Sequence, residues 1–318
     1  MQKNITIIGP CVIDVLAGPV DESVFEKGSM PVKMSKMSFG GDALNESVVL
    51  TRMGQNIELV TKVGNDEAGA RILDYIRENG LSTDAIKVEE GLTTGINIVL
   101  IDEKGERFFL TNPEGSLRKM TEEDILPYLD DAADIVSFAS IFVSPLLDID
   151  VMERIFKKIK SKPGRILTAD ITKAKKGEKI KDLEKILCYI DYIFPNKEEI
   201  AMLTGETDPY VNAKLLVDAG VSCAVIKNGS KGCIIQTKEG TLEIPAYPVE
   251  KVADTTGAGD CFASGFLWGL SNGLSLEDCG RFACACASCT IEQVGATEGI
   301  QSLDKPMARY KELCEQQE

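Results

Sequence analysis

The chain has 318 residues, of which 44% are hydrophobic and 27% are charged. This composition predicts a globular protein with a large buried core, and it excludes disordered, collagenous and fibrous chains. Lys and Arg number 35 against 50 Asp and Glu, which gives a net charge of −15 at pH 7. Because such a surface repels phosphate backbones and anionic lipids, we expect no nucleic-acid partner and no membrane-surface partner.

The sequence contains no histidine, which excludes every triad, base and metal site that needs an imidazole. Any general base is therefore expected to be a carboxylate. Ten cysteines are present. On one helix, Cys284, Cys286 and Cys289 would point about 140° to 200° apart, so we predict buried apolar side chains there, not metal ligands. No signal peptide precedes Ile5 and no apolar run approaches the roughly 20 residues that span a bilayer, so we expect a cytoplasmic protein.

Short apolar runs predict buried strands that recur along the chain, at residues 5–8, 58–63, 135–138, 166–169, 192–194 and 223–226. Segments with helical periodicity lie between the strands, at residues 67–78, 151–160, 180–188, 197–203 and 211–219. Such alternation is typical of an α/β protein. It predicts a doubly wound, mainly parallel sheet with helices on both faces.

Two stretches interrupt the alternation. Residues 14–39 carry short apolar pieces with Gly and Pro, and residues 93–112 contain an apolar alternation around the turn sequence Glu103-Lys104-Gly105. We predict antiparallel strands outside the main sheet that form a small β-sheet lid over one edge. No repeat or linker divides the chain, so residues 1–318 are predicted to be one domain that carries this inserted lid.

The strongest local signal is the stretch 254–260, Asp-Thr-Thr-Gly-Ala-Gly-Asp, which a helix-like run follows at 261–269. A glycine loop that leads into a helix offers free backbone N–H groups and the positive end of the helix dipole, and so predicts an anion site. The spacing fits neither the dinucleotide fingerprint nor the P-loop. A protein-kinase catalytic loop is excluded because it needs a histidine.

Asp260 has two interpretations at the start of this helix. A carboxylate there can cap the helix or act as an N-terminal charge. It directly follows Gly257, Ala258 and Gly259, whose amides can hold a phosphoryl group. That position favours a general base, which accepts the proton of an attacking hydroxyl.

The stretch 254–260 resembles the second signature of the ribokinase-like carbohydrate kinases, the PfkB family. The first signature of that family, a Gly-Gly pair followed by an Asn at a helix start, is matched by residues 39–45, Phe-Gly-Gly-Asp-Ala-Leu-Asn. The two stretches lie over two hundred residues apart, as in the family. The resemblance implies a ribokinase-like fold and transfer of a phosphoryl group from ATP to a sugar hydroxyl.

The resemblance also implies roles for individual residues. Sugar binding would fall to Asp14, Gly40, Gly41 and Asn45, and the phosphoryl group would meet Gly257, Ala258, Gly259 and the base Asp260. Nucleotide binding would fall to Lys227, Gly229, Gly232 and Thr256, Mg²⁺ with its waters to Asn196 and Glu199, and a monovalent cation such as K⁺ to Asp254 with Thr256.

Several of these residues also have ordinary structural explanations. Asp14 could serve a turn, Asn196 could cap a helix, and the glycines at 229 and 232 could form a β-turn. Asp66 resembles the aspartate of the family's G-x-D loop and is equally suited to cap the helix after it. The segments 276–289 and 293–299 resemble the wall of the adenine pocket.

The sugar stays open. The Asp42 version of the Gly-Gly signature looks more like 2-keto-3-deoxygluconate kinases than ribokinases or fructokinases, but their aromatic and Arg-rich lid is not matched by residues 107–112. A sugar or sugar acid of ribose, fructose or 2-keto-3-deoxygluconate type is expected. Three alternatives are a nucleoside kinase, a sugar-phosphate kinase with cations for a second phosphate, and a non-catalytic sugar-binding regulator.

The lid also predicts an assembly. Its hairpin would expose strand edges and one apolar face that contains Val99, Ile101, Phe108 and Leu110. Such surfaces recruit partners, so we expect a homodimer through the lid.

Overall fold

The computed structural model describes residues 5–315. Its strands are β1 (Ile5–Ile8), β2 (Val12–Gly18), β3 (Met34–Gly40), β4 (Ile57–Gly64), β5 (Ile86–Glu89), β6 (Ile96–Ile101), β7 (Arg107–Thr111), β8 (Ile135–Ile141), β9 (Ile166–Ile171), β10 (Tyr192–Ile193), β11 (Cys223–Lys227), β12 (Cys233–Gln236) and β13 (Thr241–Ile244). Its helices are α1 (Ser23–Lys27), α2 (Asp42–Arg52), α3 (Glu67–Glu78), α4 (Ile149–Lys160), α5 (Glu184–Leu187), α6 (Lys197–Thr204), α7 (Pro209–Asp218), α8 (Ala258–Ser271), α9 (Leu276–Thr290) and α10 (Asp304–Glu315).

The main sheet has nine strands in the order β13-β12-β11-β10-β9-β8-β1-β4-β5. All neighbours from β11 to β5 pair in parallel, and β12 and β13 add an antiparallel edge. The fold is therefore the predicted mainly parallel α/β sheet. All six predicted strands recur with ends that differ from the predicted ones by at most three residues.

Helices cover both faces of this sheet, and neighbouring side chains of β1 divide between them. Ile8 belongs to a cluster with Phe156 of α4 and Leu216 of α7. Ile7 belongs to a second cluster, with Val48 of α2 and Phe282 of α9. Because alternate residues of a strand point to opposite faces, a central strand needs apolar residues at successive positions.

The lid is a separate four-stranded sheet in the order β3-β2-β6-β7. The prediction that all its strands are antiparallel is wrong for β2 and β6, which pair in parallel. A parallel pair needs a long crossover, and here the chain runs through α2, β4, α3 and β5 before it returns as β6. The short helix α1 inside residues 14–39 was not predicted. The predicted turn around Gly105 joins β6 to β7.

Residues 180–188 do not form the single predicted helix. A 3-10 turn covers Ile180–Leu183, and α5 adds one α-helical turn. The Asp182 carboxylate accepts the backbone N–H of Lys179 at 2.8 Å, which closes a tight turn where a longer helix would begin.

The predicted burial of Cys284, Cys286 and Cys289 is confirmed. Between residues 5 and 315 no helix combines the length and the apolar character that a membrane crossing requires. The predicted domain 1–318 includes residues 1–4 and 316–318, which lie outside the described residues.

Candidate active site

The candidate site lies at the edge of the sheet where the parallel strands end, the usual place for ligands in α/β folds. The lid strand β2 begins three residues after β1 ends, and β3 leads through Gly41 into α2. Gly41 has φ +97°, and a Cβ there would lie 2.4 Å from the Pro10 carbonyl oxygen. A glycine at 41 therefore brings the start of α2 against the end of β1.

The glycine loop enters α8 through Gly257. Gly257 caps this helix with φ +73°, and a Cβ there would lie 2.4 Å from the Ala296 carbonyl oxygen. The N–H of Ala258 donates to the Thr255 carbonyl at 3.2 Å. In the described part of the chain the N–H groups of Gly259 and Asp260 have no backbone acceptor, so they remain free for an anion.

Asp260 and Asn45 join the two predicted signatures. The side-chain amide of Asn45 donates to Oδ2 of Asp260 at 2.6 Å, across 215 positions of sequence. Burial, and then the charge of Asp42, raise the pKa of Asp260 to about 7 against the opposing effects of Asn45 and Lys227. Asp260 is therefore a carboxyl group that changes protonation near neutral pH.

Two acidic residues of α2 that the sequence analysis gave no role lie beside Asp260. The Ser140 hydroxyl donates to Asp42, and the Ser137 hydroxyl donates to Glu46 at 3.0 Å. Glu46 is only 1% exposed. Burial, then the charges of Asp260 and Asp170, raise its pKa well above the usual range.

Lys227 supplies the positive charge of the site. Its Nζ lies 2.5 Å from Oδ2 of Asp170, at the carboxyl end of β9, and 3.2 Å from the Cβ position of Gly259. Burial alone would lower the pKa of Lys227, but the charges of Asp170 and Glu199 raise it. The ammonium group therefore stays charged beside the glycine loop. Asp170 was missed by the sequence analysis, although an acid at the end of a buried strand is a usable signal.

Asn196 and Glu199 form a capping box at the start of α6. The Asn196 side chain accepts the Glu199 N–H, and the Glu199 carboxylate accepts the Asn196 N–H, both at 2.8 Å. Asn196 therefore caps a helix, which was the structural alternative to a role in Mg²⁺ binding. One Glu199 oxygen remains beyond this cap, and carboxylate oxygens suit Mg²⁺. In residues 5–315 no three acidic or cysteine side chains come close enough to hold an ion by themselves, so Mg²⁺ would depend on waters and phosphates.

On the lid, Asp14 belongs to a chain of hydrogen bonds. Asn97 donates to Asp14 at 2.8 Å, and Thr111 donates to Asn97 at 3.0 Å. Oδ2 of Asp14 lies 2.6 Å from the Cβ position of Gly40, so a side chain at 40 would displace it. Burial raises the pKa of Asp14. Asp66 caps α3 through the Gly69 N–H.

Asp254 connects the glycine loop to the lid. Arg107 of β7 donates to Oδ1 of Asp254 at 2.7 Å, and the Thr256 hydroxyl donates to the same oxygen at 2.7 Å. The Gly295 N–H reaches Oδ2 at 3.1 Å. The Asp254 carboxylate therefore already accepts hydrogen bonds from a guanidinium group, a hydroxyl and a backbone N–H, and its role at a monovalent cation stays a prediction.

The predicted nucleotide loop is a tight turn between β11 and β12. Residues Gly229–Lys231 form one 3-10 turn, and the Asn228 N–H donates to the Gly232 carbonyl at 2.8 Å. A Cβ at Gly232 would lie 1.9 Å from the Ile244 carbonyl oxygen. The turn therefore packs directly against β13, and its glycines have a structural reason besides the predicted one.

Comparison with known proteins decides the family. The sequence matches the family described as pfkB family carbohydrate kinase over residues 2–303. The chain belongs to this family. It is a phosphotransferase with an alcohol group as acceptor. The family membership predicted from the two signatures is confirmed.

Relatives differ in the activity that their names give. A protein of Archaeoglobus fulgidus described as an uncharacterized sugar kinase is 35% identical over 79% of this chain and 97% of its own length. The 2-dehydro-3-deoxygluconokinase of Dickeya dadantii is 27% identical over 95% of this chain and 98% of its own. A nucleoside kinase of Methanocaldococcus jannaschii is 24% identical over 98% of this chain and 97% of its own.

Solved structures share the fold. Arabidopsis thaliana ribokinase complexed with ribose and ATP has a TM-score of 0.82 and 22% identity, and covers 98% of this chain and 99% of its own. A putative ribokinase II from E. coli in complex with ATP and Mg²⁺ has a TM-score of 0.79 and 20% identity, over 97% and 99%.

Proposed function

We propose that the enzyme transfers the γ-phosphoryl group of ATP to a hydroxyl of a small sugar or sugar acid that lies between the lid and the sheet edge. The observation that carries the proposal is the 2.6 Å hydrogen bond between Asn45 and Asp260. It brings the two family signatures together where a helix N-terminus and Lys227 offer positive charge.

Asp260 is the proposed general base, which takes the proton of the attacking hydroxyl. A base works best when its pKa lies near the operating pH, and burial with the charge of Asp42 raises the pKa of Asp260 to about 7. Asn45 fixes one carboxylate oxygen and leaves the other for the hydroxyl. The free N–H of Gly259 and the ammonium of Lys227 would stabilise charge on the transferred group, with Gly257 and Ala258 shaping the loop.

We assign the acceptor to the surface formed by Asp14, Gly40, Gly41 and Asn45. Asp14 offers one oxygen that is not bonded to Asn97, and a carboxylate oxygen is a good acceptor for a sugar hydroxyl. The two glycines leave room for a ligand against the backbone.

We assign ATP to the turn 229–232, with Gly229 and Gly232 beneath the adenosine, and to Thr256 and Lys227 near the phosphates. The ATP complexes of two fold relatives support this choice of donor. Mg²⁺, which Asn196 and Glu199 would help to place through waters, neutralises charge on the phosphates when it is bound. A role of Asp254 at K⁺ stays a prediction, and no step depends on it.

We also propose one domain with an inserted lid, and a homodimer through that lid. The exposed apolar side chains Ile98, Phe108 and Leu110 support a partner on the lid. The prediction is wrong for Val99 and Ile101, which alternate with Ile98 along β6 and face the other side of the lid, where Val99 is only 1% exposed. Light scattering at micromolar concentration should show a dimer, and a monomer would contradict this part of the proposal.

A coupled assay of ADP release over free sugars, sugar acids, sugar phosphates and nucleosides tests the function. We expect turnover with at least one sugar or sugar acid, and its loss in Asp260→Asn. Turnover with nucleosides alone would favour the nucleoside kinase. Binding of a sugar without any turnover would favour the non-catalytic regulator.

A further inference from the structure

Arg118 stands apart from the other described arginines. It is half-buried, and its one hydrogen bond is a long contact of 3.5 Å from Nη1 to the Val143 carbonyl. In residues 5–315 no carboxylate lies within ion-pair distance of it. A guanidinium group carries five N–H donors, so most of its donors remain free for a ligand.

The backbone around Arg118 is fixed. Arg118 ends the 3-10 turn Ser116–Arg118, and the Ser116 N–H donates to the Thr93 carbonyl at 2.8 Å while its hydroxyl accepts the Gly95 N–H at 2.9 Å. Thr93 and Gly95 lead into the lid strand β6. The guanidinium is therefore held where the lid joins the main domain, just beyond the end of β8, the strand whose Ser140 binds Asp42 at the start of α2.

Lys175 lies in the loop after β9. Thr172 anchors the start of that loop, because its hydroxyl donates to the Ile141 carbonyl at the end of β8 at 3.0 Å. Lys175 has no hydrogen bond and no ion pair with any residue from 5 to 315. Two cations without a carboxylate partner thus occupy the ends of neighbouring strands, Arg118 beside β8 and Lys175 after β9.

The charges of Arg118 and Lys175 act on each other and on the site. Partial burial lowers the pKa of Lys175, and the charge of Arg118 lowers it further, although Asp42 and Glu178 oppose this. Two like charges that act on each other are unfavourable until an anion compensates them. Asp42 does not compensate them as an ion-pair partner, because its carboxylate accepts the Ser140 hydroxyl and forms no salt bridge with either cation within residues 5–315.

We propose that Arg118 and Lys175 form a subsite for an anionic group of the acceptor, a carboxylate or a phosphate remote from the hydroxyl that is phosphorylated. This inference rests on the proposed kinase function and narrows its substrate class to sugar acids or sugar phosphates. Arg118 would form paired hydrogen bonds with two oxygens of the anion, and Lys175 would add a single charge.

The anion belongs to the acceptor because the phosphates of ATP have their own donors. Lys227 lies against Gly259 of the glycine loop and pairs with Asp170, whereas Arg118 reaches from the base of the lid to the Val143 carbonyl beyond the end of β8. An acceptor that places its hydroxyl at Asp260 can extend its far end over β8 toward this pair. Neutral sugars would leave both cations unpaired.

The test compares acceptors in the ADP-release assay: ribose and fructose, gluconate and 2-keto-3-deoxygluconate, and fructose 6-phosphate. We expect kcat/KM for at least one acid or sugar phosphate to exceed that of every neutral sugar at least tenfold. Higher ionic strength should raise the KM of that acceptor. An acid as the best acceptor identifies a carboxylate, and a sugar phosphate identifies a phosphate. Equal or higher kcat/KM for a neutral sugar would overturn the inference and leave the kinase function intact.

Variants locate the effect. Arg118→Gln should raise KM for the anionic acceptor at least tenfold, change kcat less than threefold and leave KM for ATP unchanged. Lys175→Gln changes a loop side chain that makes no hydrogen bond with residues 5–315, so folding should be retained, and the same KM should rise about threefold. Lys238→Gln removes an exposed positive charge on the β12–β13 turn and should change nothing. An unchanged KM in both site variants would overturn the inference.

A binding readout separates this inference from the proposed function. If no acceptor releases ADP, the kinase function fails, and the same acids and phosphates are then tested for thermal stabilisation of the protein. Stabilisation of the unaltered chain that is lost in Arg118→Gln supports the subsite. Equal stabilisation of both proteins, or none, contradicts it.

Discussion

The glycine loop has an aspartate at each end, and the two carboxylates lie in opposite surroundings. Asp254 accepts hydrogen bonds from Arg107 and Thr256, which lower its pKa although burial opposes them. Asp260 lies beside the acidic Asp42, and burial raises its pKa to about 7. A carboxylate that is stabilised as a charge and a carboxylate that is ready to accept a proton therefore lie only six positions apart in the sequence.

The difference shows that the surroundings, not the residue type, divide the work within one loop. Asp254 is suited to hold the lid strand β7 against the loop as a fixed charge. Asp260 is suited to exchange a proton, because its two protonation states are close in free energy near neutral pH. The following predictions test this division, from the largest expected effect to the smallest.

Asp260→Asn should reduce kcat by about 10²- to 10⁴-fold, the range for loss of a general base. The amide keeps the size of the side chain and its bond to Asn45, so binding of nucleotide and acceptor should change little. Steady-state kinetics with titration calorimetry measure the two effects separately. Unchanged turnover would mean that Asp260 is not the general base.

Activity should rise with pH through a midpoint near 7. The base works only when it is deprotonated, so kcat/KM should fall about tenfold for each pH unit below the pKa of Asp260. A pH profile with stable buffers measures the midpoint. A profile that stays flat from pH 5 to 8 would show that Asp260 is already ionised at pH 5 or that it is not the base.

Asp42→Asn should move that midpoint to lower pH, by roughly half a unit to one unit. The charge of Asp42 is the second largest cause that raises the pKa of Asp260, and the substitution removes it. Glu103→Gln, on the exposed turn of the lid hairpin, is the matched loss of one charge and should leave the midpoint in place. A midpoint that moves upward would contradict the account.

The two carboxylates should affect stability with opposite signs at pH 8. Folding raises the pKa of Asp260, so ionisation of this carboxyl group destabilises the folded state. The destabilisation begins above about pH 4, the pKa of an aspartate in the unfolded chain, and is complete above about pH 7. Asp260→Asn should therefore raise the melting temperature at pH 8. The pKa of Asp254 is lowered, so its charge stabilises the fold above its unfolded pKa, and Asp254→Asn should lower the melting temperature. Each effect should reach roughly 1 kcal/mol, or about 2 °C.

Calorimetry at pH 8 and pH 5 checks the signs. The gain in Asp260→Asn should shrink at pH 5, because the carboxyl group of the folded protein is protonated there. A loss of stability at pH 8 in this variant would mean that the surroundings of Asp260 favour its charge.

Arg107→Ala should have the smallest effect on catalysis. It removes the ion pair between lid and loop, which is partly exposed and contributes about 1 kcal/mol or less. We expect KM for the acceptor to rise about threefold while kcat stays constant. A tenfold loss of kcat would assign Arg107 to the reaction itself.

Local patterns in the sequence predicted the main strands, α3, and the loop with its helix. They could not predict which distant groups meet. The bond from Ser140 to Asp42 and the ion pair of Lys227 with Asp170 join residues 98 and 57 positions apart, and no spacing records them. The Asn45–Asp260 contact was within reach only because each residue belongs to a recognisable signature.

The lid shows a second limit. The alternation in β6 was visible, but the face that it buries depends on the partner strands. Val99 lies on the same side of β6 as Asn97, which donates to Asp14 of β2, and this side of the lid is the buried one. A sequence pattern with period two shows which residues share a face of the strand, but it does not show which face packs against the rest of the protein.

The most direct test compares the two ends of the loop in one experiment. Rapid-quench measurement of a single turnover at saturating ATP and acceptor gives the rate of phosphoryl transfer in Asp260→Asn and Asp254→Asn. The account predicts that Asp254→Asn transfers the phosphoryl group about 10²-fold faster or more. Equal rates in the two variants would contradict the assignment of Asp260 as the base.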